Sequence, residues 1–449
     1  MFKHIKKYAI QYSIFIFLLC FFVSYSLTVF FCRWSMDDFG LTYDVNLRGI
    51  WGGLTFWYFT FEGKVTPTLI GSTAYYLLQG FRNPFVILIS TLAFWFFGIY
   101  LLLSRLFLLL EVKQNKFGIF LYSALIVIAF CKNSPAEADL WYWPAAVFDY
   151  SVSLLLFVFM LSAIERWLKL SIILAFLAGA CKLNYIGPMY LIIMSITAFR
   201  YKKNIKYYTF LNAAFIAGSL IYLLAPGNFN RLSGYHFTTS IAKDFPVFIH
   251  TMRMYLVDLR DVRNYIILLP FLFTGIKYGN QINRPLLTKL AIYTTAFFTI
   301  VVVLNYFTFY FISHNGIYSF RVWDMIYLTY ILLIIILYIY IGTLLTSVLN
   351  TSPLPAYVIS VLLVFSGFRM VSGTFTLVPL FRNYANAEDD RVRQIIEYKT
   401  HENKGVLCLK KLPSCPVLPA NEISTDTAYW QNKDVVNRFG GSFSIKLCE

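Results

Sequence analysis

Charged residues divide the chain before residue 372 into long apolar segments. A helix needs about 20 mostly apolar residues to cross the hydrocarbon core of a bilayer. The charge-free runs that we assign to spans are Lys7–Arg33, Arg82–Arg105, Lys116–Lys132, Asp149–Glu165, Lys169–Lys182, Lys182–Arg200, Lys206–Arg231, Arg263–Lys277, Lys289–His314, and the two parts of Asp324–Arg369 on either side of the polar turn Asn350–Pro353. This pattern predicts an all-α polytopic membrane protein with about 11 transmembrane helices.

Composition supports a membrane protein. Of the 449 residues, 59% are hydrophobic and 13% are charged, whereas a soluble domain carries about 25% charged residues. This excludes a water-soluble enzyme and the disordered, collagen-like and disulfide-scaffold classes. The 38 Lys and Arg residues outnumber the 22 acids and give a net charge of +16. In a membrane protein the excess is explained by cytoplasmic loops, so we expect a lipid bilayer as partner and no nucleic acid.

The distribution of basic residues predicts the orientation. With the N-terminus in the cytoplasm, the inner loops carry most of the lysines and arginines, which the positive-inside rule requires. These residues are Lys3, Lys6, Lys7, Lys113, Lys116, Arg166, Lys169, Arg200, Lys202, Lys203, Lys206, Lys277, Arg284 and Lys289. Residues 66–82 are half polar, so we place them in the outer interface. The prediction is therefore N-terminus inside and C-terminus outside, with the first helix retained as an anchor.

The composition changes after residue 372. Nine of the 22 acidic residues fall in the tail, which indicates two domains: a transmembrane domain over 1–372 and a small external α/β domain over 373–449. Glu388–Lys399 has helical spacing of apolar residues, and Val406–Leu409 and Phe443–Leu447 are typical of short strands. The tail also contains Cys408, Cys415 and Cys448, so a disulfide between two of them would leave the third as a thiol.

Adjacent carboxylates follow the first span. Asp37 and Asp38 lie in the segment Arg33–Gly40 at the membrane boundary, where carboxylates are costly unless they are paired or functional. Crowding and partial desolvation raise a carboxylate pKa, which suits a general base. The alternative is a helix cap, because Asp is a good N-cap and Tyr43–Phe61 is a predicted helix. One aspartate can cap while its neighbour acts as base.

The outer segments are rich in aromatic residues. Asp44–Lys64 fits a helix at headgroup level, either as an ordinary aromatic belt or as a lipid groove. Lys132–Tyr150 combines acids with aromatic rings, as carbohydrate sites do when sugar faces rest on rings and hydroxyls bind carboxylates. The candidate sugar or acceptor contacts there are Glu137, Asp139, Trp141 and Trp143. The alternative for the tryptophans is again an interfacial belt.

Some arginines lie on the predicted outer side, where the topology rule does not require them. Arg231 follows the segment Ala225–Asn230, and Arg321 ends the segment that begins at His314. Arginine binds phosphate with a two-pronged guanidinium, so Arg231 and Arg321 are candidates for holding a lipid phosphate. The alternative is ion pairing with Asp258, Asp261 or Asp324. His314 is a further candidate contact for the sugar or acceptor.

Taken in order, these segments resemble the GT-C superfamily of polytopic glycosyltransferases, and most closely the bacterial serotype-converting O-antigen glucosyltransferases. The resemblance rests on Asp37-Asp38, Trp141-Tyr142-Trp143, Ala225-Pro226-Gly227-Asn228 with Arg231, and Trp430-Gln431-Asn432 with Phe439-Gly440-Gly441. It implies an aspartate base in the first outer loop of a multi-pass protein of the bacterial inner membrane, with the active site facing the periplasm.

The resemblance also implies the reaction. A sugar, glucose or another hexose, would move with inversion from undecaprenyl-phosphate-sugar to a polysaccharide or lipid-linked acceptor such as O-antigen. Some relatives use a divalent metal and others use none, and we expect none to be obligate here. The rival hypotheses are a lipid-linked sugar flippase and an O-antigen polymerase. Transporters often show two related halves, and this sequence shows no internal repeat.

Overall fold

The computed structural model describes residues 2–78, 80–134, 137–200, 204–233, 262–312, 324–349, 354–402, 404–415 and 422–448, with the single positions 246 and 418. The structure is 81% helical and has almost no sheet. Several helices are long and apolar enough to cross a bilayer. The chain is therefore a helical membrane protein, as its sequence predicts.

The described residues form 16 helices and two strands. Their bounds are α1 Phe2–Phe30, α2 Met36–Thr60, α3 Val65–Leu78, α4 Phe85–Leu109, α5 Lys116–Asn133, α6 Glu137–Trp141, α7 Pro144–Ala163, α8 Leu168–Gly179, α9 Leu183–Arg200, α10 Ile205–Leu223, α11 Pro226–Ser233, α12 Val262–Tyr278, α13 Arg284–Ile312, α14 Asp324–Leu349, α15 Leu354–Thr400 and α16 Trp430–Phe439. The strands are β1 Val406–Leu409 and β2 Ser444–Leu447.

A helix covers each of the 11 predicted spans, but their lengths differ. Within the described residues, six helices satisfy the length and hydropathy of a span: Ala9–Phe30, Phe85–Leu109, Pro144–Ala163, Arg284–Leu304, Asp324–Leu349 and Leu354–Thr400. Others are shorter; α8, for example, has 12 residues and is about 18 Å long at 1.5 Å per residue. The segment that we predicted as an interfacial helix from Tyr43 begins earlier, at Met36.

Polar contacts between loops form two separate groups. One group, at what we call the Asp-pair end, includes Lys64 with Asp149, the Thr66 amide with the Ala180 carbonyl, Ser134 with Asp324, and Arg33 with Asp389. The other, at the opposite end, includes Arg105 with Glu165, Ser171 with Tyr207, and Tyr278 with Gln114. Helices α4, α5, α7, α8 and α10 each run between these two groups.

Glycines allow two helix pairs to approach closely. At the crossing of α12 and α14, a Cβ on Gly275 would collide with the Ile339 carbonyl, and one on Gly342 with the Leu272 carbonyl. Gly179 and Gly218 have the same role between α8 and α10. Small residues at helix interfaces are characteristic of membrane proteins. In a bilayer the hydrophobic effect does not drive helices together, so close van der Waals packing of their backbones contributes more to association.

The C-terminal tail continues directly from the last long apolar helix. Helix α15 runs unbroken through residue 372, so the predicted domain boundary lies inside a helix. Strands β1 and β2 pair in parallel, with Val406 opposite Ser444, and α16 connects them. The core of the tail is formed by Ile395, Leu409, Ile423, Val435, Val436, Phe443 and Ile445, and it also includes Phe39 of α2. The tail therefore packs directly on the turn that holds the Asp pair.

The tryptophan-containing motif of the tail has a structural role. Asn432 is buried, accepts a hydrogen bond from the Ser424 amide at 2.8 Å, and donates to the Ile445 carbonyl at 3.0 Å. Gly440 ends α16 in the left-handed conformation with φ of 63°, which glycine adopts without steric cost. Cys408 and Cys448 form a disulfide that ties β1 to the chain after β2, and Cys415 is the remaining thiol of the tail.

Candidate functional site

Asp38 is built into the start of α2. Ser35 is the N-cap residue, and the Asp38 carboxylate accepts hydrogen bonds from the Ser35 amide at 2.7 Å and the Ser35 hydroxyl at 2.9 Å. This is a capping box, which satisfies donors that the first turn of a helix leaves open. The cap is thus formed by Ser35 and Asp38 at Met36, not by an aspartate in front of a helix at Tyr43.

The second oxygen of Asp38 connects α2 to two other elements. It accepts hydrogen bonds from the Tyr75 hydroxyl of α3 at 2.5 Å and from the Ala145 amide at the start of α7 at 3.0 Å. The carboxyl is fully buried, and this burial, opposed by the hydrogen bonds from Tyr75 and Ser35, raises its pKa to about 6. With four donors around it, Asp38 is placed as a structural anchor.

Asp37 lies one residue earlier and is only half-buried. Its carboxylate is close enough to Asp434 of the tail to contribute to the raised pKa of that residue. Close packing of the tail is also evident at Gly40, where a Cβ would lie 2.5 Å from an Asp434 carboxylate oxygen. The structure therefore places Asp37 under α16, beside the contact between the membrane domain and the tail.

Asp434 gives this contact a pH dependence. Burial, and then the carboxylates of Asp44 and Asp37, raise the pKa of Asp434 from 3.8 to about 7. A raised carboxyl pKa means that the folded state favours the protonated form of Asp434. Ionisation of Asp434 therefore lowers the stability of the folded protein; this loss is absent below about pH 4, grows up to about pH 7 and is constant above it.

We therefore expect Asp434→Asn to raise the melting temperature relative to the unmodified protein, by an amount that grows from pH 4 to pH 7. Thermal unfolding of both proteins across this range measures the effect. Asp390→Asn is the control, because Asp390 is an exposed carboxylate of the same tail. A difference that is independent of pH would contradict the prediction.

A group of five charged residues, four of them largely buried, lies near the Asp pair. Its members are Glu62, Lys64, Asp149, Lys182 and Arg231, which we call the charge cluster. Glu62 contacts Arg231 at 3.0 Å, Lys64 at 3.4 Å and Lys182 at 3.8 Å. Asp149 contacts Lys64, and also Lys182 at 3.3 Å. The cluster therefore joins the loop after α2, the start of α7, the α8–α9 connection and α11.

The segment from Ala225 to Arg231 positions one cation of the cluster. Asn228 accepts a hydrogen bond from the Gly63 amide at 3.0 Å and donates one to the Tyr222 carbonyl at 2.5 Å. A Cβ on Gly227 would lie 2.7 Å from the Phe61 backbone nitrogen, so only glycine permits this approach. The motif fixes α11 against the end of α2 and holds Arg231 over Glu62.

The charges within the cluster stabilise one another. Burial alone would raise the pKa of Glu62, but Lys182, Lys64 and Arg231 lower it below its usual range. Burial alone would lower the pKa of Lys182, but Glu62, Tyr150 and Asp149 raise it well above its usual value. Among the described residues, three cations therefore face two carboxylates, an excess of one positive charge. Arg231 keeps 41% of its side chain exposed, so this charge is accessible.

The Asp pair and the charge cluster are linked through Tyr75 and Phe148. The Tyr75 hydroxyl binds Asp38, and the Tyr75 ring packs edge-on against Phe148 at 5.7 Å, next to Asp149 in the chain. Burial, and then the carboxylates of Asp38, Asp149 and Asp37, raise the pKa of Tyr75 well above its usual value, so it stays a donor. Tyr75 thus separates the acids of the pair from the cations of the cluster.

The two predicted sugar-binding tryptophans lie in the core. Trp141 is 1% exposed and packs against Trp95 at 5.8 Å and Phe130 at 5.7 Å, and Trp143 is 4% exposed. The structure therefore corrects the expectation that their rings form an open sugar platform, because ring packing inside the bundle covers them. Glu137 pairs with Lys132 at 2.6 Å, and Asp139 is half-buried near the same loop.

Two predicted site residues, His314 and Arg321, lie outside the described residues. Asp258 and Asp261, two of the expected alternative partners of Arg231, also lie outside the described residues. Within the described residues Arg231 pairs with Glu62, and Asp324 accepts a hydrogen bond from Ser134 at 2.7 Å. Our sequence analysis missed Glu62, Lys64 and Lys182 as site residues. Each of these residues is a charge beside an apolar run, which could have marked it as a candidate. Lys182, however, was used only to mark the end of a span. No group of three or more metal-ligating side chains occurs within the described residues.

No family model, curated protein or solved structure matches the chain.

Proposed function

We propose that the protein is a membrane glycosyltransferase of the GT-C type that uses a sugar carried on undecaprenyl phosphate. The observation that carries this proposal is the charge cluster, which has one net positive charge, an accessible guanidinium and a position next to the Asp pair. A sugar phosphodiester bears one negative charge, so the cluster complements the donor. Buried charges at a membrane boundary are expensive, which favours a functional reason for retaining the four largely buried members of the cluster.

In the proposed reaction Asp37 is the general base. It takes the proton of an acceptor hydroxyl, whose oxygen attacks the anomeric carbon of the donor sugar. The bond from that carbon to the phosphate oxygen breaks, and its electron pair stays on the phosphate. A single displacement inverts the anomeric configuration. The leaving phosphate gains a negative charge, which Arg231 and the lysines of the cluster stabilise, with Arg321 as a further proposed contributor.

The proposed topology has 11 spans, with the N-terminus in the cytoplasm and the C-terminus in the periplasm of a bacterial inner membrane. Two observations support it. The loops assigned to the outer side contact one another at the Asp-pair end, and the loops assigned to the inner side contact one another at the opposite end. The lysine-rich loops also belong to the opposite end. The acceptor would then be a surface polysaccharide such as the O-antigen of lipopolysaccharide.

Transfer in detergent solution tests the proposal directly. Purified protein, undecaprenyl-phosphate-[14C]glucose and O-antigen are mixed in micelles, and labelled polysaccharide is measured. A flippase forms no product there, because it makes no covalent bond and micelles have no second compartment. Labelled product is the expected result, and its absence with glucose and with other hexose donors would overturn the proposal.

Arg231→Gln is expected to raise the KM for the donor by roughly 10- to 100-fold, since hydrogen bonds to charged groups contribute about 1.5–3 kcal/mol, while the KM for the acceptor stays unchanged. Arg166→Gln is the matched control, because Arg166 is an exposed arginine that stacks on an adjacent tryptophan near the opposite end. An effect of Arg231→Gln on the acceptor alone would contradict the phosphate role.

A further inference from the structure

A groove of about 750 Å³ lies between the membrane domain and the tail. Its walls come from the turn before α2, the loop before α4, the outer part of α15 and the end of α16. This volume falls within the ~300–1,000 Å³ of small-molecule sites. The groove is distinct from the charge cluster, since the two share no residue.

Aromatic rings line the groove from three separate elements. Trp34 donates a hydrogen bond from its indole to the Phe81 carbonyl at 2.8 Å, which fixes the loop before α4 against the start of α2. Phe39 of α2 packs against Phe439 of α16 with ring centroids 5.8 Å apart. Phe81 is 53% exposed, so part of this aromatic lining is open to a ligand.

Charged groups of both signs lie among these rings. Asp389 of α15 accepts hydrogen bonds from Arg33 at 2.9 Å and 3.0 Å, and it also pairs with Arg82. The Arg82 side chain is 70% exposed. Four arginines and three carboxylates line the groove in total. The site therefore offers both donors and acceptors, and its carboxylates offset all but one of the arginines.

We propose that this groove binds a saccharide, namely the sugar chain of the acceptor. Sugar rings present apolar faces that pack on aromatic side chains, and their hydroxyls donate to carboxylates and accept from guanidinium groups. The assignment rests on the proposed glycosyltransferase function, because it gives the groove the role of presenting an acceptor hydroxyl.

The position of the groove fits this role. Phe39 and Asp37 are two residues apart in the first turn of α2, which corresponds to about 3 Å along the helix axis. The tail forms one wall of the groove and also lies over Asp37. Asp37 itself does not line the groove, and residues two positions apart face different sides of a helix, so the saccharide would extend beyond the groove to reach the proposed base. In this proposal the groove, and not Trp141 or Trp143, contacts the sugar chain of the acceptor.

Binding to a printed microarray of bacterial surface glycans tests the proposal without requiring catalysis. The full-length protein is used in nanodiscs of phosphatidylcholine. We expect the unmodified protein to bind a subset of glycans, and Arg82→Gln and Phe81→Ala each to weaken that binding by roughly tenfold. Both side chains are exposed, so these variants should fold. Lys433→Gln is the control on α16, because Lys433 is exposed and lies outside the groove.

The outcomes separate this proposal from the proposed function. Absence of glycan binding, or binding that Arg82→Gln and Phe81→Ala leave unchanged, overturns the saccharide site. It is also overturned if these variants instead weaken binding to phosphatidylglycerol vesicles, because the groove would then hold a lipid headgroup. Asp37→Asn should retain glycan binding. If glycans bind in the groove but the protein transfers no sugar, the saccharide site stands and the transferase proposal fails.

Discussion

Asp37→Asn is expected to lower the rate of sugar transfer by about 10²–10⁴-fold, the typical contribution of a positioned general base. The carboxylate is half-buried at the edge of the tail contact. The fold should survive the change, because Asn has nearly the same shape. Radiolabel transfer at saturating donor, together with a thermal melt, measures both quantities.

Asp38→Asn is the matched comparison within the same helical turn. Asp38 accepts hydrogen bonds from Ser35, Tyr75 and Ala145, and an amide accepts with only one of its two polar atoms. We expect a loss of stability of about 1–3 kcal/mol for the groups left unsatisfied, with any loss of activity following from that instability. Full transfer activity in Asp37→Asn would remove the base hypothesis.

Glu62→Gln is expected to destabilise the protein by about 3–5 kcal/mol, the usual cost of breaking a buried ion pair from one side. Glu62 is 6% exposed and faces three cations of the charge cluster. Its removal leaves Lys64, Lys182 and Arg231 with Asp149 alone. The melting temperature and the yield of folded protein in detergent measure the effect.

A second variant shows whether the cluster acts as a unit. Combined with Glu62→Gln, Lys64→Gln should restore part of the lost stability, because it removes one of the uncompensated cations. Glu165→Gln is the control at the opposite end, where the carboxylate pairs with Arg105 and keeps 31% of its side chain exposed. Additive losses in the double variant would show that the cluster residues act independently.

The sequence located the helices because charges mark their ends. Each predicted span corresponds to a helix, and the two strands of the tail lie close to their predicted positions. The predicted tail helix Glu388–Lys399 is the end of α15, and α16 was not predicted. Sequence could not establish that α15 continues through residue 372, since the change in composition there reflects solvent exposure and not a break in the helix. The length of α8 was visible, because its charge-free run Lys169–Lys182 is equally short, but its close crossing with α10 at Gly179 and Gly218 was not.

The candidate site was predictable only in its local parts. The spacing of Ser35 and Asp38 is that of a capping box and is visible in the sequence. The contact from Asp38 to Tyr75 spans 37 positions, and the one from Lys182 to Asp149 spans 33, so both depend on the packing of distant helices. Trp141 was predicted as a sugar contact, but its ring is buried in the core. Composition alone cannot distinguish a ring on the surface from one in the core.

The unbroken course of α15 has a mechanical consequence. At 1.5 Å per residue its 47 residues form a rod of about 70 Å, whose outer part carries Asp389 and one wall of the groove. A rod joined in this way does not swing about a flexible linker, so rotation of the tail would be transmitted to the membrane domain. Bending is easiest near Pro379, where a backbone hydrogen bond of the helix is missing. Passage of a polymer beneath the tail would then require a tilt of the entire rod or a bend at this proline.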